Sequence, residues 1–300
     1  MNAIPKTIIV ADIGGTKIAL GHLVTGISAS INSSVLTERL RVVDPISALG
    51  QIILEYATQH HLEFDAVVLG VPVSLDRDMD TVLSSPNITQ LEGAKLATQL
   101  ETRLGKPVRL ERDIVLLLLG EQHSGASQGS SSTVGVFLGT GVGGGFLIAG
   151  KPYRGFSVGM ELGHIPIHGH GKVCVCGNTD CLEAYACGHT LNALSGQFNL
   201  PVSELFSLRT STPELEQALN DFIRDQAFAI ATTINLIDPE VCVIGGGIPQ
   251  MPDFPKTALK DLILEHLRRP YPREVVKIAW AELGSRATLY GALAVLEERL

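Results

Sequence analysis

Residues 12–21 read DIGGTKIALG, and residues 139–150 read GTGVGGGFLIAG. An apolar, β-branched run precedes each turn, TIIVAD at 7–12 and Thr133–Leu138, and an apolar run follows each, Lys17–Leu23 and Phe146–Ala149. That is a strand, a glycine turn and a second strand, occurring twice in one chain. Glycine lets backbone N–H groups converge on an anion with no Cβ in the way, so each hairpin presents a phosphate-facing turn. A third glycine turn, Gly245-Gly246-Gly247, closes the buried strand Val241–Ile244. One glycine turn alone also makes an ordinary hairpin. Three, two of them in matching units, point to a nucleotide with several phosphates. None of them has the P-loop pattern, and the turn at 139–145 leads into a strand where a dinucleotide fold requires a helix.

Between and after these hairpins, strands alternate with helices. A strand is expected at Ser34–Val43. Asp44 then reads as an N-cap with Pro45 at the first helical position. Ala66–Val71 is a buried strand and Ser74–Ser85 a connecting hairpin, with a turn at Pro86-Asn87. Gly93–Leu104 is helical, Pro107–Leu110 is a strand, and a helix begins near Asp113. Further helices are expected at 188–193, 214–236 and 256–268, a strand at Val275–Ile278, and a closing helix from Thr288 to Leu300. This order describes an α/β chain of two lobes with a central cleft. The expected lobes are 1–112 and 113–300, with the C-terminal helix packing back on the first.

Composition narrows the function. The chain has 300 residues, 45% of them hydrophobic and 18% charged, which describes a folded protein long enough for two cores. A net charge of −8 argues against a nucleic-acid partner, which requires clustered Lys and Arg. No apolar run approaches the ~20 residues of a membrane span, and Asp12 interrupts the N-terminal run before a signal-peptide core forms. The expected location is cytoplasmic, with no membrane partner.

The segment GMELGHIPIHGHGKVCVCGNTDCLE at 159–183 carries the densest chemistry. His164, Cys174, Cys176 and Cys181 make one imidazole and three thiols, the full ligand set of a closed, structural zinc site. His168 and His170 lie in the same loop and compete as ligands. Glu161 and Glu183 flank the metal set, and fixing the ligands brings two carboxylates into position for the hydroxyls of a polar ligand. Cys187 and Cys242 sit in apolar surroundings and read as buried small hydrophobes.

Two further acids stand at strand ends. Asp12, beside the first glycine turn, is placed to hold Mg²⁺ against phosphates. Asp113 is placed to take a proton from an alcohol during phosphoryl transfer, to cap its helix, or both.

DIGGTK at 12–17, LGTGVGGG at 138–145, ELGH at 161–164, CVCGNTDCLE at 174–183 and VIGGG at 243–247 occur in the order seen in the ROK family of sugar kinases and repressors, and the chain resembles that family along its whole length. Within the family it looks most like the D-allose kinases, through RD at 112–113, SSPNI at 84–88 and the tail NLIDPEVCVIGGG…MPDFP…LRRP. The resemblance implies an actin-like ATPase (ribonuclease H-like) fold, ATP and Mg²⁺ as cofactors, a structural Zn²⁺, a homodimer, and transfer of the γ-phosphoryl group to a hexose hydroxyl, usually O6. It implies Asp113 as base and sugar contacts from Glu161, His164 and Glu183, with Asn87 and Arg112 as further candidates. Gly14, Gly15, Thr16 and Lys17 would face the phosphates from one lobe, Thr140 and Gly141 from the other, with Gly246 and Gly247 near the adenosine.

Three positions depart from the family. Arg112 stands where Asn usually precedes the base, Val115 where Asn usually follows it, and Met160 where Gly usually precedes Glu161. Arg donates only, whereas Asn donates and accepts, so a different hydroxyl pattern is expected. The competing readings are a kinase for glucose, fructose or an N-acetylhexosamine, and a sugar-responsive regulator without activity. Family repressors carry a winged helix-turn-helix ahead of the first strand, where fewer than ten residues stand here.

Overall fold

The computed structural model describes residues 6–24, 28–85, 87–156 and 159–298. Pro86 of the expected turn, and Arg299 and Leu300 of the expected closing helix, lie outside the described residues. The chain forms two compact units, the first made of Met1–Gly129, Gly150–Gly159 and Glu282–Leu300, the second of Ser130–Ala149 and Met160–Ala281.

The first unit is built on a sheet in the order β3-β2-β1-β4-β7. Its strands are β1 (Thr7–Ile13), β2 (Lys17–Val24), β3 (Ser28–Leu36), β4 (Ala66–Val71) and β7 (Val108–Arg112). A short hairpin, β5 (Ser74–Leu75) with β6 (Val82–Ser84), lies between β4 and β7 in sequence. β1 and β2 are antiparallel, as are β2 and β3, whereas β1, β4 and β7 run parallel. β4 is buried along its whole length, as a parallel strand covered on both faces must be. Helix α1 (Pro45–Gln59) starts where expected, with the Asp44 carboxylate accepting from Ser47 N at 2.9 Å and Pro45 opening the first turn. Leu49, Ile52 and Ile53 of α1 enter a core with Ile9, Leu69 and Leu110. Helix α2 (Leu96–Leu104) begins three residues later than expected, after Gly93 at φ +79°.

The expected strand at Ser34–Val43 is instead β3, ending at Leu36, followed by a 3₁₀ turn at Thr37–Leu40. Pairing with β2 explains the stop. Leu36 lies opposite Lys17, the first residue of β2, so the chain beyond it has no partner strand. Thr37 then turns inward, its N donating to Thr16 O at 3.0 Å and its Oγ1 to Gly14 O at 2.7 Å.

Helix α3 (Asp113–Ser124) packs within the first unit, so the units divide after this helix and not at the expected 112/113 boundary. Its partner is the C-terminal helix α8 (Ala287–Glu298). A Cβ on Gly120 would run into Ala287 O, and one on Gly291 into Leu116 O, so the two backbones meet at glycines. The fully buried Glu121 reinforces the contact, accepting from Glu282 N at 3.0 Å and Leu283 N at 2.9 Å. The segment Gly150–Gly159, with the two-residue strand β10 (Lys151–Pro152), also belongs to this unit.

In the second unit, β8 (Ser132–Leu138), β9 (Val142–Ile148), β11 (Val241–Gly245) and β12 (Lys277–Trp280) run in the order β9-β8-β11-β12. An antiparallel hairpin again leads into parallel strands. Its helices are α4 (Leu182–Tyr185), α5 (Gly188–Phe198), α6 (Pro213–Ile237) and α7 (Lys256–His266). The Thr212 side chain caps α6, and Phe222 and Ile230 of that helix meet Val134, Val136 and Ile244 in the core. β9 starts at Val142, not at Phe146, because Gly143, Gly144 and Gly145 pair with Phe137, Val136 and Gly135. The glycine turn is therefore only Gly139–Gly141. Gly144 is needed inside the strand, where a Cβ would lie 2.8 Å from Leu162 Cβ. β12 sits two residues later than expected, set by Val241 opposite Lys277. Among the described residues no helix is long and apolar enough to cross a membrane.

Candidate functional site

In the first unit the site begins at the ends of three parallel strands. Register places Asp12 of β1 opposite Gly70 of β4, and Gly70 opposite Glu111 of β7. Two residues past Glu111, Asp113 opens α3, its Oδ1 accepting from Ile114 N at 2.8 Å. A Cβ on Gly70 would lie 3.0 Å from Asp12 Oδ1 and 3.6 Å from Asp113 Cα. Gly70 thus leaves room for the Asp12 carboxylate beside the start of α3, where Asp113 stands, and nothing in its sequence context singled it out. Burial first, and the Asp113 charge second, push the Asp12 carboxyl up from 3.8 to about 7. Such a site favours a proton or a cation between the acids.

The adjoining turn is shaped for access. Gly14 N donates to Lys17 O at 2.9 Å, closing the hairpin, while Gly15, Thr16 and Lys17 are exposed. The wholly buried Thr37, absent from the sequence-based candidates, braces it through Gly14 O. Asn87 is exposed beside the turn, its Nδ2 3.8 Å from where a Gly15 Cβ would stand. Arg112 is half-buried, and Val115 is buried one turn into α3.

In the second unit, Gly139 N donates to Gly141 O at 2.9 Å and leaves Thr140 exposed at the tip. This turn is strapped from behind. Gly188 N donates to Gly139 O at 2.8 Å, and Val142 N donates to Glu183 Oε2 at 2.8 Å. A Cβ on Gly141 would collide with that same Glu183 oxygen. One oxygen of Glu183, Oε2, therefore fixes the phosphate-type turn. Gly246, at φ +95°, lies against Leu138, where any side chain would clash with backbone, and Gly247 is exposed beside it. Glu161 is exposed, and Met160 packs its side chain against Gly144.

The metal candidates come together. One donor atom from each of His164, Cys174, Cys176 and Cys181 lies within 4.8 Å of all the others. Cys176 and Cys181 sulfurs are 3.7 Å apart, and Cys174 Sγ is 3.7 Å from His164 Nδ1. A tetrahedral zinc with sulfurs at ~2.3 Å sets its sulfurs about 3.8 Å apart, so the donor set fits the ion in chemistry and spacing. Cys174 and Cys176 lie on a tight turn, Gly177 N donating to Cys174 O at 3.0 Å with Gly177 at φ +92°. The competing imidazoles are engaged elsewhere. His168 Nε2 meets Asp225 Oδ2 at 3.0 Å, and His170 stacks on His168. Asp180 was not among the sequence candidates, yet it closes the loop by accepting from the backbone N–H of His170, Gly171 and Lys172 and from the Tyr185 hydroxyl. Cys187 and Cys242 are buried as expected.

Two nucleotide-type turns, a pair of interacting carboxylates and a zinc-type loop on α/β sheets describe a phosphoryl-transfer protein of the actin-like class. A model of the ROK family matches residues 8–299, and the chain belongs to that family. It is 31% identical to a glucokinase of Streptomyces coelicolor over 96% of each chain. It is 30% identical to an N-acetyl-D-glucosamine kinase of Escherichia coli O157:H7, over 94% of this chain and 96% of the other. The solved structure of a ROK family glucokinase from Streptomyces griseus, in complex with glucose and AMPPNP, superposes with a TM-score of 0.82 at 27% identity, covering 97% of this chain and 99% of the other. The α/β fold is the actin-like ATPase fold of the ROK kinases.

Proposed function

We propose that the protein is an ATP-dependent sugar kinase that transfers the γ-phosphoryl group of ATP to a hexose hydroxyl, O6, and that D-allose is its substrate. The observation that carries this reading is that Asp12 and Asp113 both lie beside Gly70 and interact electrostatically, next to the exposed Gly15–Lys17 turn. Asp113 takes the proton of the sugar hydroxyl as that oxygen forms its bond to the γ-phosphorus. The bond from the γ-phosphorus to the bridging oxygen breaks, and ADP leaves with the electron pair. Gly14 closes the first turn, so the N–H groups of Gly15 and Thr16, with Lys17, hold phosphate oxygens there, and those of Thr140 and Gly141 do so on the second turn. Gly246 and Gly247 leave room for the adenosine. Asp12 would hold Mg²⁺, which supplies positive charge for the phosphates.

Glu161, His164, Glu183 and Asn87 contact the hydroxyls, and Arg112 donates to one of them. Zn²⁺ held by His164, Cys174, Cys176 and Cys181 is structural, because four protein donors leave no open position. The kinase works as a homodimer, which light scattering would test.

D-allose rests on Arg112, a donor-only side chain where Asn is usual. The names of the relatives, glucokinase and N-acetyl-D-glucosamine kinase, favour glucose or N-acetylglucosamine as a second reading. Coupled ADP release measured across aldohexoses, ketohexoses and N-acetylhexosamines ranks the candidates by kcat/KM. D-allose is expected to lead. A lead for glucose or N-acetylglucosamine of tenfold or more overturns the assignment of the sugar, and no turnover of any hexose overturns the kinase.

A further inference from the structure

We propose that Arg154 is a positioning residue for the catalytic segment, acting through a buried ion pair with Glu111 that fixes the Arg112–Asp113 backbone. This rests on the reading of Asp113 as the base. Glu111 is completely buried, and its Oε1 accepts from Arg112 N at 2.9 Å and from Arg154 Nη1 at 2.7 Å. Its Oε2 lies 2.7 Å from Arg154 Nη2, a close charge contact without the alignment of a hydrogen bond. One carboxylate therefore ties the Arg154 guanidinium to the N–H immediately before Asp113.

The cavity beside the pair, lined by Leu75, Met79, Arg112 and Val115 among others, holds about 20 Å³, room for one water. Without the guanidinium, the buried carboxylate keeps one backbone donor and no opposite charge, which drives it outward. Arg112 and Asp113 are the next two residues, so that movement displaces them. Displacing a reacting group by about 1 Å costs about 10²-fold in rate. A second arginine offers an internal control. Arg77 Nε donates to Phe156 O at 3.3 Å, and its guanidinium lies 4.4 Å from the Phe156 ring centre, so it grips the same 150–159 segment without touching Glu111.

The test compares the purified full chain with R154M, R154K, R77M and the double variant E111Q/R154M, using the best hexose of the panel. R154M is expected to lower kcat by about 10- to 100-fold and raise the sugar KM while the ATP KM stays within twofold, with R154K between it and the parent. R77M is expected to keep kcat within twofold. E111Q/R154M, which buries no charge, is expected to recover the melting temperature but not kcat. The inference is overturned if R154M keeps kcat and both KM values within twofold, if R77M loses as much as R154M, or if the double variant recovers kcat together with its melt. Hydrogen exchange at the Arg112 amide needs no turnover, so it decides the matter even if the parent phosphorylates no hexose. Protection should fall in R154M and persist in R77M, and unchanged protection in R154M sinks the proposal.

Discussion

Replacing Asp12 by Asn should make the ligand-free protein more stable at neutral and alkaline pH while removing the proposed Mg²⁺ ligand. In the folded state the half-buried Asp12 carboxyl is desolvated and feels the Asp113 charge, which together push it up from 3.8 to about 7. A folded-state pKa above the unfolded one means that the protonated form is the one folding favours. That contribution is complete below about 3.8 and is lost as pH rises to just above 7. At ~1.4 kcal/mol for each tenfold change, the whole effect is at most about 4 kcal/mol. Urea denaturation of parent and D12N from pH 4 to 8.5, in buffer free of divalent cations and nucleotide, reads this effect together with the coupled titration of Asp113, while groups that do not interact with Asp12 cancel in the difference. D12N should match the parent near pH 4 and exceed it progressively up to pH 8. Burial is the larger cause, so D113N should remove less than half of the slope. A pH-independent difference between parent and D12N would refute the raised Asp12 pKa and the desolvation that causes it.

Other consequences follow from single contacts. G141A would drive a Cβ into the Glu183 oxygen that Val142 N holds, so the sugar KM should rise about tenfold or more with a smaller change in melting, as steady-state kinetics would show. Elemental analysis should find one zinc per chain. Chelation, or C176S, should lose that zinc and several kcal/mol of stability by denaturant titration, given the ~10–16 kcal/mol that zinc contributes in small zinc domains. G291A would force α3 and α8 apart at Leu116 O and should cost at least about 1–3 kcal/mol of unfolding free energy.

The elements whose signals are local were legible in the sequence. Asp44 and Pro45 announce α1, the continuous apolar runs announce β1, β4 and β11, and the Cys-x-Cys-Gly spacing announces the cluster of candidate metal donors. What escaped depends on partners distant in the chain. β3 ends at Leu36 because β2 begins at Lys17, and glycines 143–145 belong to a strand because β8 offers them a ladder. Gly70 and Glu111 acquire their roles from the parallel register that sets them in one row with Asp12, and Arg154 acquires its role from reaching that row. Thr37 and Asp180 brace turns through buried hydrogen bonds that residue type alone does not announce.

The central claim is that Asp113 removes the proton of a sugar hydroxyl while ATP donates its terminal phosphoryl group. D113N, assayed beside the parent for turnover and by calorimetry for sugar affinity, tests it most directly. The account predicts a kcat lowered by about 10²–10⁴-fold with the sugar dissociation constant within a few-fold of the parent's. Undiminished turnover in D113N would contradict it.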